Sequence, residues 1–288
     1  MNITPRRSVL YMPSSNDKAV TKAGQGLLDA DTLILDLEDA VAVDQKLPTR
    51  DKLLKALNDY DFGKSEVVVR VNAPDTPWGE DDIRAFANSK ADALCIPKVE
   101  SLDGLQRVLS ILESENDYAT QLWVMAETPL GITNINDIVH GSDRICALLM
   151  GTSDLTKELR IPHTVDRQGL LYSLSRAVVA ARAADIDIID GVFVDLNDEA
   201  GFAMSCKQGR ELGFDGKSLI HPKQLAVANT TFAPDSSALE EAKEITDAWA
   251  ECQAKGQGVT VVRGKLVESL HVEQAQRILA YQAAIDER

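Results

Sequence analysis

The chain has 288 residues, 44% of them apolar, and a formal charge of −15. That balance argues against nucleic acid as a main partner, because such binding is driven by clustered Lys and Arg neutralising phosphates. No apolar run approaches the roughly 20 residues of a membrane span, and the opening Met1-Asn2-Ile3-Thr4-Pro5-Arg6-Arg7 lacks the apolar stretch of a secretory signal, which leaves a soluble, cytoplasmic globular protein with no membrane partner.

In chain order, short apolar runs alternate with longer amphipathic stretches. Strands are predicted at Ser8 to Pro13, Thr32 to Glu38, Val67 to Asn72, Ala93 to Lys98, Leu122 to Glu127, Ile145 to Gly151, Ile186 to Phe193 and Ser218 to Pro222. Between them, Asp17 to Asp29, Lys46 to Tyr60, Glu80 to Ser89, Ser101 to Glu115, Ile132 to His140, Gln168 to Ala184 and Glu199 to Leu212 carry helical spacing and good helix formers. Eight strand-helix repeats predict an α/β fold, a (β/α)₈ TIM barrel over residues 1–230. Residues 231–288 form a C-terminal helical extension: a helix over Pro234 to Lys255, a short strand at Val259 to Val262 and a last helix over Glu268 to Asp286. Gly63-Lys64-Ser65 and Gly216-Lys217-Ser218 lack the glycine that a phosphate-binding P-loop needs, and no dinucleotide fingerprint is present. Cys95, Cys146, Cys206 and Cys252 are far apart and read as free thiols, with Cys95 and Cys146 in apolar runs.

The polar residues at strand ends carry the chemistry, since barrel enzymes build their sites there. The runs Leu122 to Ala126 and Ile145 to Met150 each end in an acid, Glu127 and Asp154. Two carboxylates without Cys or His beside them suit a hard cation such as Mg²⁺; alternatively, Glu127 caps a helix and Asp154 is the N-cap for Leu155 onward. Arg70, embedded in Val67-Val68-Val69-Arg70-Val71-Asn72, either grips a carboxylate or makes a structural ion pair with Glu38 or Asp39. Asp36, Glu38 and Asp39 close the second strand, Lys98 the fourth, and Asp195 follows the seventh. His221, between Ile220 and Pro222, reads more readily as a satisfied structural residue than as a catalyst, and Lys22, with Lys18, as a solvated helix face. His140, His163 and His271 show no zinc clustering.

Seven collinear motifs, Arg7-Ser8-Val9-Leu10-Tyr11-Met12-Pro13, Leu35-Asp36-Leu37-Glu38-Asp39-Ala40-Val41, Val69-Arg70-Val71-Asn72, Ile96-Pro97-Lys98, Glu127-Thr128-Pro129-Leu130-Gly131, Gly151-Thr152-Ser153-Asp154 and Gly213 to Pro222, resemble the HpcH/HpaI aldolase and citrate lyase β-subunit family. The Ile-His-Pro-Lys-Gln segment and Gly264-Lys265-Leu266-Val267-Glu268 are similar to free-standing CoA-ester lyases and malyl-CoA thioesterases. The resemblance implies a homotrimeric or homohexameric barrel with Mg²⁺ held by Glu127 and Asp154. It implies catalytic roles for Arg70 and Glu268, and contacts to substrate from Arg70, Glu127, Tyr11, Lys22, Ser153, Ile220 and His221. The last helix of one subunit would cover the next subunit's site.

The leading expectation is a Mg²⁺-dependent carbon-carbon lyase that splits a malyl-CoA-like 3-hydroxyacyl-CoA into an acyl-CoA and a 2-oxo acid such as glyoxylate or pyruvate, or condenses the two. Thioester hydrolysis to malate and CoA is the alternative, and a citrate lyase β-type subunit working on an acyl-carrier partner a third. Two departures bear on the choice. Glu268 stands where the lyases have aspartate, and Pro13-Ser14-Ser15-Asn16 replaces the usual Pro-Gly turn and basic residue, which changes the grip on the CoA phosphates.

Overall fold

The computed structural model describes residues 3–288, which divide into two compact units: Arg6–Phe232, and Ala233–Arg288 with the residues preceding Arg6. In the first unit, β1 (Ser8–Pro13), β2 (Thr32–Asp36), β3 (Glu66–Arg70), β4 (Ala93–Ile96), β5 (Gln121–Ala126), β6 (Ile145–Met150), β7 (Asp187–Asp190) and β8 (Gly216–Leu219) close a parallel barrel in sequence order. Around it run α1 (Asp17–Gly24), α2 (Lys46–Asp59), α3 (Gly79–Phe86), α4 (Leu102–Ser114), α5 (Pro129–Val139), α6 (Thr152–Leu159), α7 (Leu171–Ala183), α8 (Glu199–Leu212) and α9 (Leu225–Phe232). The (β/α)₈ fold read from the strand-helix alternation is therefore the observed one. Its strands are apolar on both faces because each is buried on both sides, by the barrel interior and by the helices.

Alternation along each strand sorts the side chains. Val9, Ile34, Val68, Ala93, Cys95, Trp123, Met125, Ala147, Leu149 and Ile189 form one packed cluster inside the barrel. Their neighbours, such as Leu10, Leu35, Val69, Leu94, Val124 and Leu148, join the larger cluster beneath the helices. Each such aliphatic side chain taken from water contributes roughly 1.5–3 kcal/mol. At the N-terminal end the interior is plugged by Arg6, whose guanidinium donates to Glu66 (2.9 and 2.7 Å) and Asp187 (2.6 Å) and lies 5.2 Å from the Trp123 ring. With that end filled by a paired charge, the C-terminal mouth is left for ligands.

Several boundaries differ from those expected. β7 stops at Asp190 instead of Phe193, and the next residue, Gly191, packs so closely on Thr152 that a Cβ there would overlap it. Helices α6 and α9, of 8 residues each, were not among the expected helical stretches, although a helix from Leu155 onward was one of the readings of Asp154.

The second unit holds α10 (Ser236–Ala254), an antiparallel pair of β9 (Thr260–Val262) and β10 (Lys265–Val267), and α11 (Ser269–Asp286). The second strand of that hairpin was not expected. Its two-residue turn is Arg263-Gly264, both with positive φ (50° and 76°), the backbone that tight hairpins require.

Candidate active site

Continuing the inward register by two residues from Val9, Ile34, Val68 and Met125 brings Tyr11, Asp36, Arg70 and Glu127 to the C-terminal mouth. There Tyr11, Asp36, Asp39, Arg70, Met125, Glu127, Ser153, Asp154 and Ile220 line part of one cavity of about 330 Å³.

Arg70 is fixed first. In the parallel register Asp36 lies opposite it, and its Nε and Nη2 donate to the two Asp36 carboxylate oxygens, both at 2.7 Å. Asp36 is saturated by two further N–H groups, of Glu38 (2.9 Å) and Ala40 (3.2 Å). The remaining nitrogen, Nη1, lies 2.8 Å from Glu38 Oε2 and 3.7 Å from Asp39 Oδ2. The expected structural pairing with Glu38 or Asp39 is thus present, but Asp36 is the principal partner, and the alternation that begins at Ile34 is the signal that finds it. Burial alone would favour a neutral guanidine; Asp36, Tyr11 and Glu38 outweigh it and hold the Arg70 pKa well above its ordinary value. The Tyr11 ring lies 4.8 Å from the guanidinium carbon, a cation–π contact. Burial pushes the Tyr11 hydroxyl pKa well above the usual phenol range, against the pull of Arg70.

Neither acid is a helix cap. Thr128 caps α5, its hydroxyl accepting from Gly131 N–H at 3.0 Å, and Gly151 precedes α6, so Asp154 sits inside the first turn. Glu127 is buried, with 2% of its surface exposed. Its Oε1 accepts from Lys98 N–H at 2.8 Å, while Oε2 has no protein partner among the described residues. Burial, and next the nearby Glu38 carboxylate, push the Glu127 pKa up to about 7. Asp154 likewise has no hydrogen-bond or ion-pair partner among the described residues. No cluster of three or more His, Cys, Asp or Glu disposed to hold a metal occurs among those residues. Two carboxylates lining one cavity, Glu127 with one oxygen free and Asp154 with both, and no thiolate or imidazole among the lining residues, fit a hard divalent cation whose other positions are filled by water and ligand oxygens. Glu127 and Asp154 are the side chains that would hold Mg²⁺.

The other site residues named from the sequence divide. Ser153 and Ile220 reach the cavity with Tyr11. Lys22 lies on an exposed face of α1 and does not line it. His221 is exposed and caps a 3₁₀ turn, its Nδ1 accepting from Lys223 N–H at 3.1 Å, the structural reading its sequence position favoured. Glu268 lies in the second unit at the start of α11, where its N–H donates to His271 Nδ1 at 3.1 Å. Glu38, expected only as an ion-pair partner of Arg70, and Lys98, noted only at the end of the fourth strand, complete the network: Lys98 Nζ donates to Glu38 Oε1 at 2.6 Å.

Residues 7–222 match the HpcH/HpaI aldolase/citrate lyase family. A (3S)-malyl-CoA thioesterase of Cereibacter sphaeroides (strain ATCC 17025) is 46% identical over 281 residues, covering 98% of this chain and 96% of the relative. A citrate lyase subunit beta of Leuconostoc mesenteroides subsp. cremoris is 35% identical, with 95% and 92% covered. Among solved structures, the citrate lyase beta subunit of Mycobacterium tuberculosis complexed with oxaloacetate and magnesium superposes with a TM-score of 0.68 at 26% identity, covering 79% of this chain and 97% of that one. The chain belongs to the HpcH/HpaI aldolase/citrate lyase family.

Proposed function

We propose that this chain is a Mg²⁺-dependent enzyme acting on a malyl-CoA-like 3-hydroxyacyl-CoA, and that its principal reaction is hydrolysis of the thioester to the hydroxy acid and free CoA. The observation that carries the site is the pair of carboxylates with free oxygens, Glu127 and Asp154, lining one cavity with Arg70. The outcome, hydrolysis, is favoured by the 46% identity to a relative named as a thioesterase. Mg²⁺, when bound, supplies Lewis acidity toward the hydroxyl and carboxylate oxygens of the acyl group.

The chain's own groups account for the rest. Arg70, held on Asp36 through two nitrogens and beside Glu38 through the third, lines the cavity, where it would meet the acid's oxygens and stabilise charge that develops on them. Tyr11 stacks on that guanidinium and presents an un-ionised hydroxyl. We place Glu268 as the proton carrier, donated from a neighbouring subunit with the 231–288 extension. In hydrolysis it takes a proton from the water that attacks the thioester carbonyl, and the released thiolate takes a proton back.

Carbon-carbon cleavage is the second reading, favoured by the lyases in the family and by a site whose acid-binding groups suit a 2-oxo acid. There the same base takes the 3-hydroxyl proton, the adjacent bond breaks, and the thioester half leaves as an enolate to be protonated. Incubation with (3S)-malyl-CoA and Mg²⁺ separates the two. Free thiol appearing mole for mole with malate is the expected result; glyoxylate and acetyl-CoA without free thiol would replace hydrolysis by cleavage. EDTA should abolish either reaction, and turnover that survives it removes the metal from the reading.

A further inference from the structure

Glu38 and Lys98 join the two halves of the site. Glu38 follows β2, and its side chain is only 8% exposed. One carboxylate oxygen accepts from Lys98 Nζ at 2.6 Å. The other lies 2.8 Å from Arg70 Nη1 but makes no hydrogen bond there and is a buried oxygen without one. Lys98 reaches the opposite way with its backbone. Its φ of 52° is in the left-handed region, uncommon for a residue with a side chain, and in that conformation its N–H meets Glu127 Oε1 at 2.8 Å. Asp36, Arg70, Glu38, Lys98 and Glu127 therefore form one continuous chain of contacts across β2, β3, β4 and β5. Neither Glu38 nor Lys98 lines the cavity, so neither is placed to touch a ligand.

We infer that Glu38 and Lys98 are positioning residues: together they set the separation between the Arg70 guanidinium and the free oxygen of Glu127, and so the span an acid must bridge between Arg70 and the cation. This rests on the reading that Arg70 receives the acid and Glu127 the cation. The Lys98 N–H directs Glu127 Oε1 away from the cation position, and the Lys98 ammonium holds the Glu38 carboxylate beside Nη1. Lys98→Met keeps the N–H and removes the ammonium, so it loosens the guanidinium while sparing the cation site. Glu38→Gln has a similar consequence, since it removes the negative charge that faces both cations and turns one oxygen into an NH₂ donor beside them.

Calorimetric titration of the full-length chain with Mg²⁺ alone, and then with glyoxylate in the presence of Mg²⁺, tests this. In Lys98→Met and Glu38→Gln, glyoxylate affinity should fall by about tenfold or more, the usual scale for groups that orient ligands, while Mg²⁺ affinity stays close to the parent's. Lys98→Arg, which keeps a cation opposite Glu38, should restore most of the loss. Unchanged glyoxylate affinity in both variants overturns the inference. A parallel fall of both affinities that tracks the melting temperature and is not restored by arginine also overturns it, because that is what a scaffold role would give. If the unaltered chain binds no Mg²⁺, the metal-site reading itself fails and takes this inference with it.

Discussion

Gly151 shows how narrowly the site is built at the scale of single residues. It follows β6 and precedes α6, and a Cβ at this position would overlap both Cβ and Oε2 of Glu127. Oε2 is the oxygen left free for a cation once Lys98 N–H has taken Oε1. Gly151→Ala must therefore move the carboxylate that holds the cation while leaving both acids in the chain. Overpacking of this kind costs roughly 1–3 kcal/mol, which urea unfolding would report, whereas Mg²⁺ affinity measured by calorimetry should drop by about tenfold or more for a displaced ligand. A folded variant that binds Mg²⁺ as before would show that Glu127 does not hold it. Arg70 illustrates what was legible at this scale. A cation inside an apolar strand announced itself as a group needing a partner or a ligand, but which of three nearby acids it chose depended on the β2–β3 register, a tertiary fact. Asp36 faces inward with Ile34 and lies opposite Arg70, whereas Asp39 comes after the strand and is mostly exposed.

At the scale of elements, the strands were readable because a parallel strand covered on both faces must be apolar throughout, and all eight lie within a few residues of the expected runs. Of the four 8-residue helices, α1 and α3 were readable and α6 and α9 were not: α9, Leu-Ala-Val-Ala-Asn-Thr-Thr-Phe, has no clear alternation of apolar and polar faces. What also escaped the sequence is how β7, β8 and the α6–α7 connection are tied. Asp190 at the end of β7 is fully buried, accepts from Lys217 Nζ on β8 at 2.8 Å, and accepts from Arg167 Nη1 at 2.6 and 2.8 Å. Gly216-Lys217-Ser218 looked like a fragment of a nucleotide motif, yet its lysine is an internal counterion. Burial alone would raise the Asp190 pKa, but the two cations outweigh it and hold the carboxyl below the usual range. A depressed acid contributes stability that is present above its ordinary pKa and is lost as pH falls through the lower, folded-state value. Removing Asp190 strands two cations, whereas removing Lys217 leaves the acid still paired with Arg167. Asp190→Asn should therefore cost the larger amount, on the scale of 3–5 kcal/mol for a broken buried pair, and Lys217→Met clearly less, as read from urea midpoints at neutral pH. Below the carboxylate range the gap between Asp190→Asn and the parent should narrow. Equal losses in the two variants would mean that the triad does not act through its charges.

At the scale of the whole molecule, an overall charge of −15 coexists with a site proposed to take an acid, and the resolution is local: Arg70 and Lys98 stand among acids at the barrel mouth. The open matter at this scale is the proton carrier. Glu268 belongs to the second unit, as do Val261, Leu266 and Leu270, apolar side chains more than half exposed. Such a surface suits the proposed role of the extension as a cover for a neighbouring subunit's barrel. If one chain supplies Arg70, Glu127 and Asp154 and its neighbour supplies Glu268, two inactive variants should complement each other. Asp154→Ala destroys a chain's barrel site but leaves its Glu268 able to serve the next; Glu268→Gln does the reverse. In a ring whose interfaces run head to tail, random mixing of equal amounts pairs an intact barrel with an intact donor at roughly a quarter of the sites. Each variant alone should be nearly inactive, and co-refolding or co-expression should recover about that share of parental turnover. Mixing that recovers nothing, from chains shown by light scattering to be in one oligomer, would mean that Glu268 serves its own chain, whereas a Glu268→Gln variant that keeps its turnover would direct attention to Asp39, the exposed acid that lines the cavity.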